Sequence, residues 1–235
     1  MNTISNKNLV LDLYRKVIRE RNGDLIDTYI SDDYIQHSPS MKDGKVGLRD
    51  AIEYLKSLPK LKEEDKSPII LAIAEGDYVM LLLGLSFMGK QLLVADLFKV
   101  LNGKVVEHWD AIQDITGIPI IIGTVVSPTF NVAENHDINV SESNKTLIRL
   151  HFNDSAPDSI DVNKEFSDAL RQRQPVKLHR ILAYGNLVGL QSEGIISGKP
   201  FVFYDFVNII ESRITKHCCV AQEIVQVLSH NNGMI

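Results

Sequence analysis

The sequence predicts an α+β fold that is built twice, each time as helices followed by an antiparallel sheet. Two observations carry this. Helical spacing of apolar residues gives way near Pro68 to strands separated by short glycine-bearing turns, and helices first with a meander afterwards is the α+β order. The stretch Leu71–Ile115 then aligns without a gap with Arg180–Ile224 at a constant offset of 109 residues. Gly76/Gly185, Gly89/Gly198, Lys90/Lys199, Asp96/Asp205, His108/His217 and Gln113/Gln222 are matched in that alignment. Turn glycines and strand pattern therefore recur together, as in a repeated fold unit.

Each element follows from local chemistry. Leu9, Val10, Leu13, Tyr14, Val17 and Ile18 recur at helical spacing after Ser5, a good N-cap, and Gly23 closes that helix. A short helical turn follows at Asp24–Ile30. The chain is extended through Tyr34-Ile35-Gln36-His37-Ser38-Pro39, because Pro39 disfavours the helical region at Ser38. Asp43-Gly44 is a turn. A second helix runs from about Val46 to Leu58, with Leu48, Ile52 and Leu55 on one face and Pro59 as its stop. The strands Ile69–Ala74, Tyr78–Phe87, Gln91–Val100 and Lys104–Asp114 are joined by turns short enough to make antiparallel hairpins. Lys60–Lys66 reads as a solvated charged loop, and Ile118–Ile122 either extends the sheet or covers a pocket mouth.

Residues Ser127–Ser143 have no hydrophobic period and read as a linker. The second unit restarts at Asn144-Lys145, an echo of Asn6-Lys7. Its lead-in to the first strand is much shorter, Asn144–His179 against Asn6–Ile70. It keeps a helix at Val162–Arg173, with Arg171-Gln172-Arg173 on its polar face, and has no counterpart of His37-Ser38-Pro39. The expected organisation is a first domain over 1–126, a linker over 127–143 and a truncated second domain over 144–235, ending in a frayed tail that contains His230.

Charge and cysteine usage exclude several classes. Twenty-five basic and 30 acidic residues are interspersed, for a net charge of −5, which argues against a nucleic-acid or membrane partner. The N-terminus MNTISNKNLV has no basic stretch followed by an apolar one, so no signal peptide is expected. The most apolar stretch, Ile115–Val126, is too short to span a bilayer and contains Gly117, Pro119 and Gly123. The two cysteines, Cys218 and Cys219, are adjacent and would point to opposite faces of a strand. A disulfide framework and a zinc site are thus both unexpected, and the chain reads as cytoplasmic.

The chemistry concentrates on Val105-Val106-Glu107-His108-Trp109-Asp110. Strand alternation puts His108 and Asp110 on one face and Glu107 and Trp109 on the other. A histidine and a carboxylate two apart on a strand can line one pocket as a proton-transfer pair. Whether Asp96 joins them depends on the Leu101-Asn102-Gly103 turn. A two-residue Asn-Gly turn would set Asp96 opposite Trp109. A three-residue loop with a bulge at Gly103, which is favoured, would set it opposite His108. Retention of Asp205 and His217 in a unit that has Cys219 in place of Asp110 favours a structural Asp96–His108 pair. His37 sits in rigid extended backbone before Pro39, which can aim it into a cavity.

Three segments together carry a family resemblance: the Asn6-Lys7…Tyr14 helix with Gly23-Asp24, the Asp33–Pro39 segment, and Asn102–Asp110. They resemble the polyketide-cyclase-like branch of the nuclear-transport-factor-2/ketosteroid-isomerase superfamily, and within it the SnoaL-like proteins associated with aldol condensation. The resemblance covers essentially all of the first unit, about half the chain, and the second unit looks like a truncated copy. It implies two cone-shaped units, each a curved antiparallel sheet over helices around an apolar pocket, with His37, His108 and Asp110 facing the pocket of the first. It also implies acid/base work by a pocket carboxylate with no cofactor and no metal, a role that maps to Asp110. Asp96, Tyr34 and Trp109 are the candidate substrate contacts. The ligand would be a small hydrophobic carbonyl compound, turned over by cyclase, isomerase or aldol-type chemistry. The alternative is a non-catalytic ligand-binding or assembly module, because Trp109 and Asp110 become Cys218 and Cys219 in the second unit. Members of this superfamily often dimerise through the outer sheet face, which implies an intramolecular pseudo-two-fold pair of the two units and leaves further homodimerisation open.

Overall fold

The computed structural model describes residues 3–59, 67–116, 137–152 and 164–235. Helix α1 (Thr3–Leu13) passes directly into a wider π-helical stretch, Tyr14–Arg19. A 3₁₀ turn (Gly23–Leu25) and the short α2 (Ile26–Tyr29) lead into strand β1 (Ile30–Gln36), and α3 (Gly44–Ser57) follows. The meander is β2 (Ile69–Glu75), β3 (Tyr78–Phe87), β4 (Lys90–Leu101) and β5 (Lys104–Asp114). These strands lie within one or two residues of their expected ends. The second series is α4 (Ile138–Phe152), α5 (Lys164–Gln172), β6 (Lys177–Tyr184), β7 (Leu187–Ile196), β8 (Lys199–Ile210) and β9 (Arg213–Glu223). The fold is α+β, with a five-stranded sheet ordered β1-β5-β4-β3-β2 and a four-stranded sheet ordered β6-β7-β8-β9.

Three expectations need adjustment. The Tyr34–Pro39 segment is not merely extended: β1 pairs in parallel with β5, setting Gln36 beside His108. The expected linker is helical from Ile138 onward, while its residues 127–136, the loop Lys60–Lys66 and the segment Ile118–Ile122 lie outside the described residues. The turn between β4 and β5 is the two-residue one. Asn102 and Gly103 both have positive φ, 51° and 76°, as a type I′ turn requires. In the second sheet Glu211 and Ser212 make the same turn with φ of 50° and 63°. The extra residue is absorbed further along the strand instead. Pairing runs Ile209↔Ile214 and then Asn208↔Lys216, which leaves Thr215 unpaired and sets Asp205 opposite Cys219. Thr215 keeps its polar group satisfied by donating from Oγ1 to Asn208 O at 3.1 Å.

Positions 109 apart share further geometry. Gly76 and Gly185 both have φ of 57°, and Gly89 and Gly198 both have 79°. Val100 N donates to Asp77 O at 2.7 Å as Ile209 N does to Asn186 O at 2.8 Å. Ile115 N donates to Gln91 O as Ile224 N does to Pro200 O, both at 2.8 Å. The helices are tied in alike, with Asn6 Nδ2 donating to Gly76 O at 2.9 Å and Asn144 Nδ2 to Gly185 O at 3.0 Å.

The chain gathers into two compact units. Unit 1 is Met1–Leu81, Asp96–Asp110 and Val225–Ile235, and unit 2 is Leu82–Ala95 and Ala111–Ile224. In unit 1 the helices bury Val10, Leu13, Ile26, Leu48 and Ile52 together with Ile73, Val79, Val100 and Val105 from the strands. In unit 2 Leu147, Ile148, Phe166 and Leu170 pack on Val188, Leu190, Val207 and Ile209. Burial of this order, roughly 1.5–3 kcal/mol per large aliphatic side chain, is what holds short helices against a sheet. Among the described residues no helix is long and apolar enough to cross a membrane. Cys218 and Cys219 are both buried and unbridged.

Candidate active site

Asp110 lies on β5 and is 6 % exposed. Its Oδ1 is buried without a hydrogen-bond partner, which is unusual for a carboxylate in a folded interior. Burial pushes its pKa up to about 6; the positive charge of His108 works against the rise, the Asp96 carboxylate adds to it, and Ser38 and His230 moderate it. The Ser38 side chain is within hydrogen-bonding reach of Asp110.

His108, two residues earlier on the same face, is held at both ring nitrogens. Nδ1 faces Gln36 Oε1 at 3.0 Å and Nε2 faces Asp96 Oδ1 at 3.0 Å. The Gln36 amide is unambiguous in its orientation. Its Oε1 also accepts from the backbone N–H of His37 at 2.9 Å and of Ser38 at 2.8 Å, and its Nε2 donates to Tyr34 Oη at 2.9 Å. Both His108 nitrogens thus meet acceptors, which the doubly protonated imidazolium satisfies. Burial disfavours that charge, but the Asp96 carboxylate outweighs it and raises the His108 pKa. Phe98 stacks on the ring at 4.6 Å between centroids.

Asp96 completes the group. Its Oδ2 accepts from Tyr14 Oη, which the π-helical stretch carries at its first residue. Tyr34 is buried and Tyr14 half-buried with its hydroxyl turned inward, and desolvation together with the carboxylates of Asp96 and Asp110 lifts both hydroxyl pKa values well above normal, so both stay protonated. Tyr34 Oη accepts from Gln36 and keeps its own hydrogen to donate.

The structure therefore brings Asp110, His108, Asp96 and Tyr34 together: alternation puts His108 and Asp110 on one face, and Asp96 reaches His108 from β4. It does not bring His37 and Trp109 to them. His37 stacks on Trp109 with centroids 4.8 Å apart, and its Nε2 meets Glu107 Oε1 at 3.0 Å. This is the other face of β5. The parallel pairing of β1 with β5 puts Gln36, not His37, on the Asp110 side, so the expectation that His37 shares the pocket is corrected. Tyr14, Gln36 and Ser38 belong to the site but were not singled out in the sequence, although Tyr14 stands on the apolar face of its helix and the other two flank His37.

In unit 2 the equivalent place is closed. Asp205 accepts from Arg173 at both oxygens, Nη1 to Oδ2 at 2.7 Å and Nη2 to Oδ1 at 3.0 Å, and from His217 Nε2 at 2.6 Å. Arg173, Asp205 and His217 have fully buried side chains. Burial alone would raise the Asp205 pKa, but the Arg173 guanidinium holds it below the carboxylate range. Arg173 was expected on a polar helix face. It turns inward instead and lies 4.3 Å over the Phe203 ring. Its backbone packs so close to β7 that a Cβ on Gly194 would sit 2.3 Å from Arg173 O. Cys219 takes the position of Asp110, and burial, with the Asp205 carboxylate, pushes its thiol pKa well up. An acid in the apolar run Phe201–Ile210 needs a buried cation, and that was the available signal for Arg173.

Residues 8–118 match the family model described as SnoaL-like polyketide cyclase. Three solved structures illustrate the likeness. TsrD from Streptomyces laurentii has 19 % identity and a TM-score of 0.38, over 48 % of this chain and 91 % of its own. A SnoaL-like polyketide cyclase from Agrobacterium tumefaciens has 14 % identity and a TM-score of 0.36, over 48 % and 93 %. An NTF2-like protein from Burkholderia xenovorans has 15 % identity and a TM-score of 0.37, over 48 % and 92 %. No curated protein matches the chain.

Proposed function

We propose that the domain of residues 8–118 is an acid/base catalyst that needs no cofactor and acts on a small hydrophobic carbonyl compound, by cyclase, isomerase or aldol-type chemistry. The observation that supports it is Asp110, a buried carboxylate with one unpartnered oxygen and a pKa of about 6. A carboxylate raised to that value is a stronger base than an exposed one and is still ionised at neutral pH. In this reading Asp110 Oδ1 takes the proton from the carbon next to the carbonyl. The C–H electron pair moves into the new C=C bond, and negative charge develops on the carbonyl oxygen. Tyr34, with its hydroxyl hydrogen available, donates to that oxygen. His108 has both nitrogens committed, so it acts through its charge and by fixing the Asp110 face, not as a donor to substrate.

The second repeat is a non-catalytic partner in this proposal, because Asp205 is neutralised by Arg173 and Cys219 stands where the base would be. The matched turns and hydrogen bonds at the 109-residue offset support a tandem repeat with a truncated second copy. Reciprocal bonds within unit 2 support a pseudo-two-fold pairing of the repeats: Ile112 N donates to Gln222 Oε1 at 2.7 Å and Ala221 N to Gln113 Oε1 at 3.0 Å.

The test is solvent deuterium exchange into a panel of hydrophobic 1,3-dicarbonyl compounds, followed by NMR. The native protein is expected to accelerate exchange for at least one of them, with a rate that rises through about pH 6 as Asp110 ionises. Asp110→Asn should lower that rate by roughly 10²–10⁴-fold. Exchange that is the same with Asp110→Asn across the whole panel overturns the assignment.

A further inference from the structure

The segment after β9, Val225–Ile235, contains no helix or strand, yet its polar atoms converge on one short stretch of unit 1. Ser229 N donates to Pro39 O at 3.0 Å. His230 Nε2 donates to Ser38 O at 2.9 Å, and Asn232 Nδ2 donates to Gln36 O at 2.9 Å. In return His37 Nδ1 donates to Gly233 O at 3.0 Å. The segment also orders itself, since Asn232 N donates to His230 Nδ1 at 3.2 Å. That bond fixes the tautomer: Nδ1 accepts, and Nε2 carries the hydrogen that Ser38 O receives.

Of the residues the segment grips, Gln36 and Ser38 belong to the Asp110 site, while His37 lies on the other face of β5. Gln36 holds His108, and Ser38 reaches Asp110. The frayed tail expected from the sequence is thus tied to the site. Its hold is of a particular kind. Only Met234 in this segment is buried, while Val227 is 88 % exposed. The remaining bonds go to backbone carbonyls, to one imidazole and, from the Asn232 side chain, to the Asp43 carboxylate, all groups that water can solvate once they separate. A segment with few buried apolar contacts opens more readily than the sheet beneath it.

We propose that Ser229–Met234 is a strap that closes the Asp110 site, that His230 positions Ser38 against Asp110, and that a ligand reaches the carboxylate only when the strap lifts. This rests on reading Asp110 as the site, but its test needs no turnover. Carboxyl groups of the full chain are labelled with a water-soluble carbodiimide and an amine, and the sites are quantified by peptide mass spectrometry. Asp32, with a side chain 92 % exposed, and Asp205, with one 0 % exposed, serve as internal standards. In the native chain Asp110 is expected to label far more slowly than Asp32. A chain ending at Gln226 should label Asp110 about tenfold faster while Asp205 stays protected, because only the strap has been removed. Asn232→Ala and His230→Ala should fall between the two, and His230→Gln, which keeps a donor toward Ser38 O, should restore protection. Unchanged Asp110 labelling in the shortened chain, with Asp205 still protected, overturns the strap. If Asp205 becomes labelled as well, the shortened chain has lost its fold, and hydrogen exchange of the native chain decides instead. The Ser229 amide exchanging faster than the Val220 amide supports local lifting, and equal rates overturn it. Because labelling reports access alone, a failure of Asp110→Asn to affect exchange of the dicarbonyls would remove the catalytic reading and leave this result standing.

Discussion

The two sheets hold the same pair, Asp96 with His108 and Asp205 with His217, and surround it differently. Beside Asp96 the second carboxylate oxygen takes a neutral hydroxyl from Tyr14. Beside Asp205 it takes the guanidinium of Arg173. Two positions past the histidine, one strand carries Asp110 and the other Cys219. The first arrangement concentrates negative charge and leaves one oxygen unmatched; the second cancels it. A buried Asp–His pair is therefore compatible with a reactive site and with an inert core. The neighbours supplied by other elements decide which it becomes.

The comparison breaks most sharply at Asp205. Asp205→Asn should cost about 3–5 kcal/mol, because it leaves the Arg173 guanidinium buried without its counter-charge. Replacing both residues with aliphatic ones of similar volume should recover most of that loss in urea unfolding. A small effect of the single change would mean that Arg173 has another partner, and the contrast between the sheets would fail.

Asp110→Asn should have the opposite sign. The folded pKa of about 6 lies above the unfolded value near 3.8, so ionised Asp110 opposes folding. The stability linked to this group is present below about pH 4 and is lost as pH rises through about 6. At pH 8 the variant should be more stable than the native chain by up to about 3 kcal/mol, and at pH 4 nearly equal to it. His108 also favours folding at low pH through its raised pKa, chiefly because of Asp96 and in smaller part because of Asp110, so the difference between the two proteins reports Asp110 together with its coupling to His108. A variant that is less stable at pH 8 would show that Asp110 is matched by a partner after all.

Tyr14→Phe should have the smallest effect, about 1–3 kcal/mol, by leaving Asp96 Oδ2 buried without its donor. It sharpens the comparison because Tyr14 stands where the second sheet uses Arg173. No loss of stability would indicate that water takes the place of the hydroxyl.

Much of this molecule was legible in its sequence. The spacing of Val10, Leu13 and Val17 placed the first helix, and Gly76, Gly89 and Gly103 placed the turns between strands, because both signals act within a few residues. Alternation alone put His108 and Asp110 on one face. The details of pairing were less legible. The expected bulge at Gly103 is absent, since Asn102 and Gly103 satisfy the tight turn by themselves; in the second sheet the strand absorbs an extra residue past the turn. Asp96 still reaches His108, by a register that was not foreseen.

Sequence alone settles the class of fold, the order of its elements and the shared face of His108 and Asp110, because a period of two or 3.6 residues is a property of neighbouring backbone. What only the tertiary structure decided is which side chains complete each site. His37 was drawn to Glu107 and Trp109 across the parallel pairing of β1 with β5. Arg173 turned inward to Asp205, 32 residues away. The terminal segment reached back 196 residues to Gln36 and His37. Those choices depend on where buried charge and unpaired carbonyls come to lie once the sheets are formed, and no local pattern of the chain encodes that.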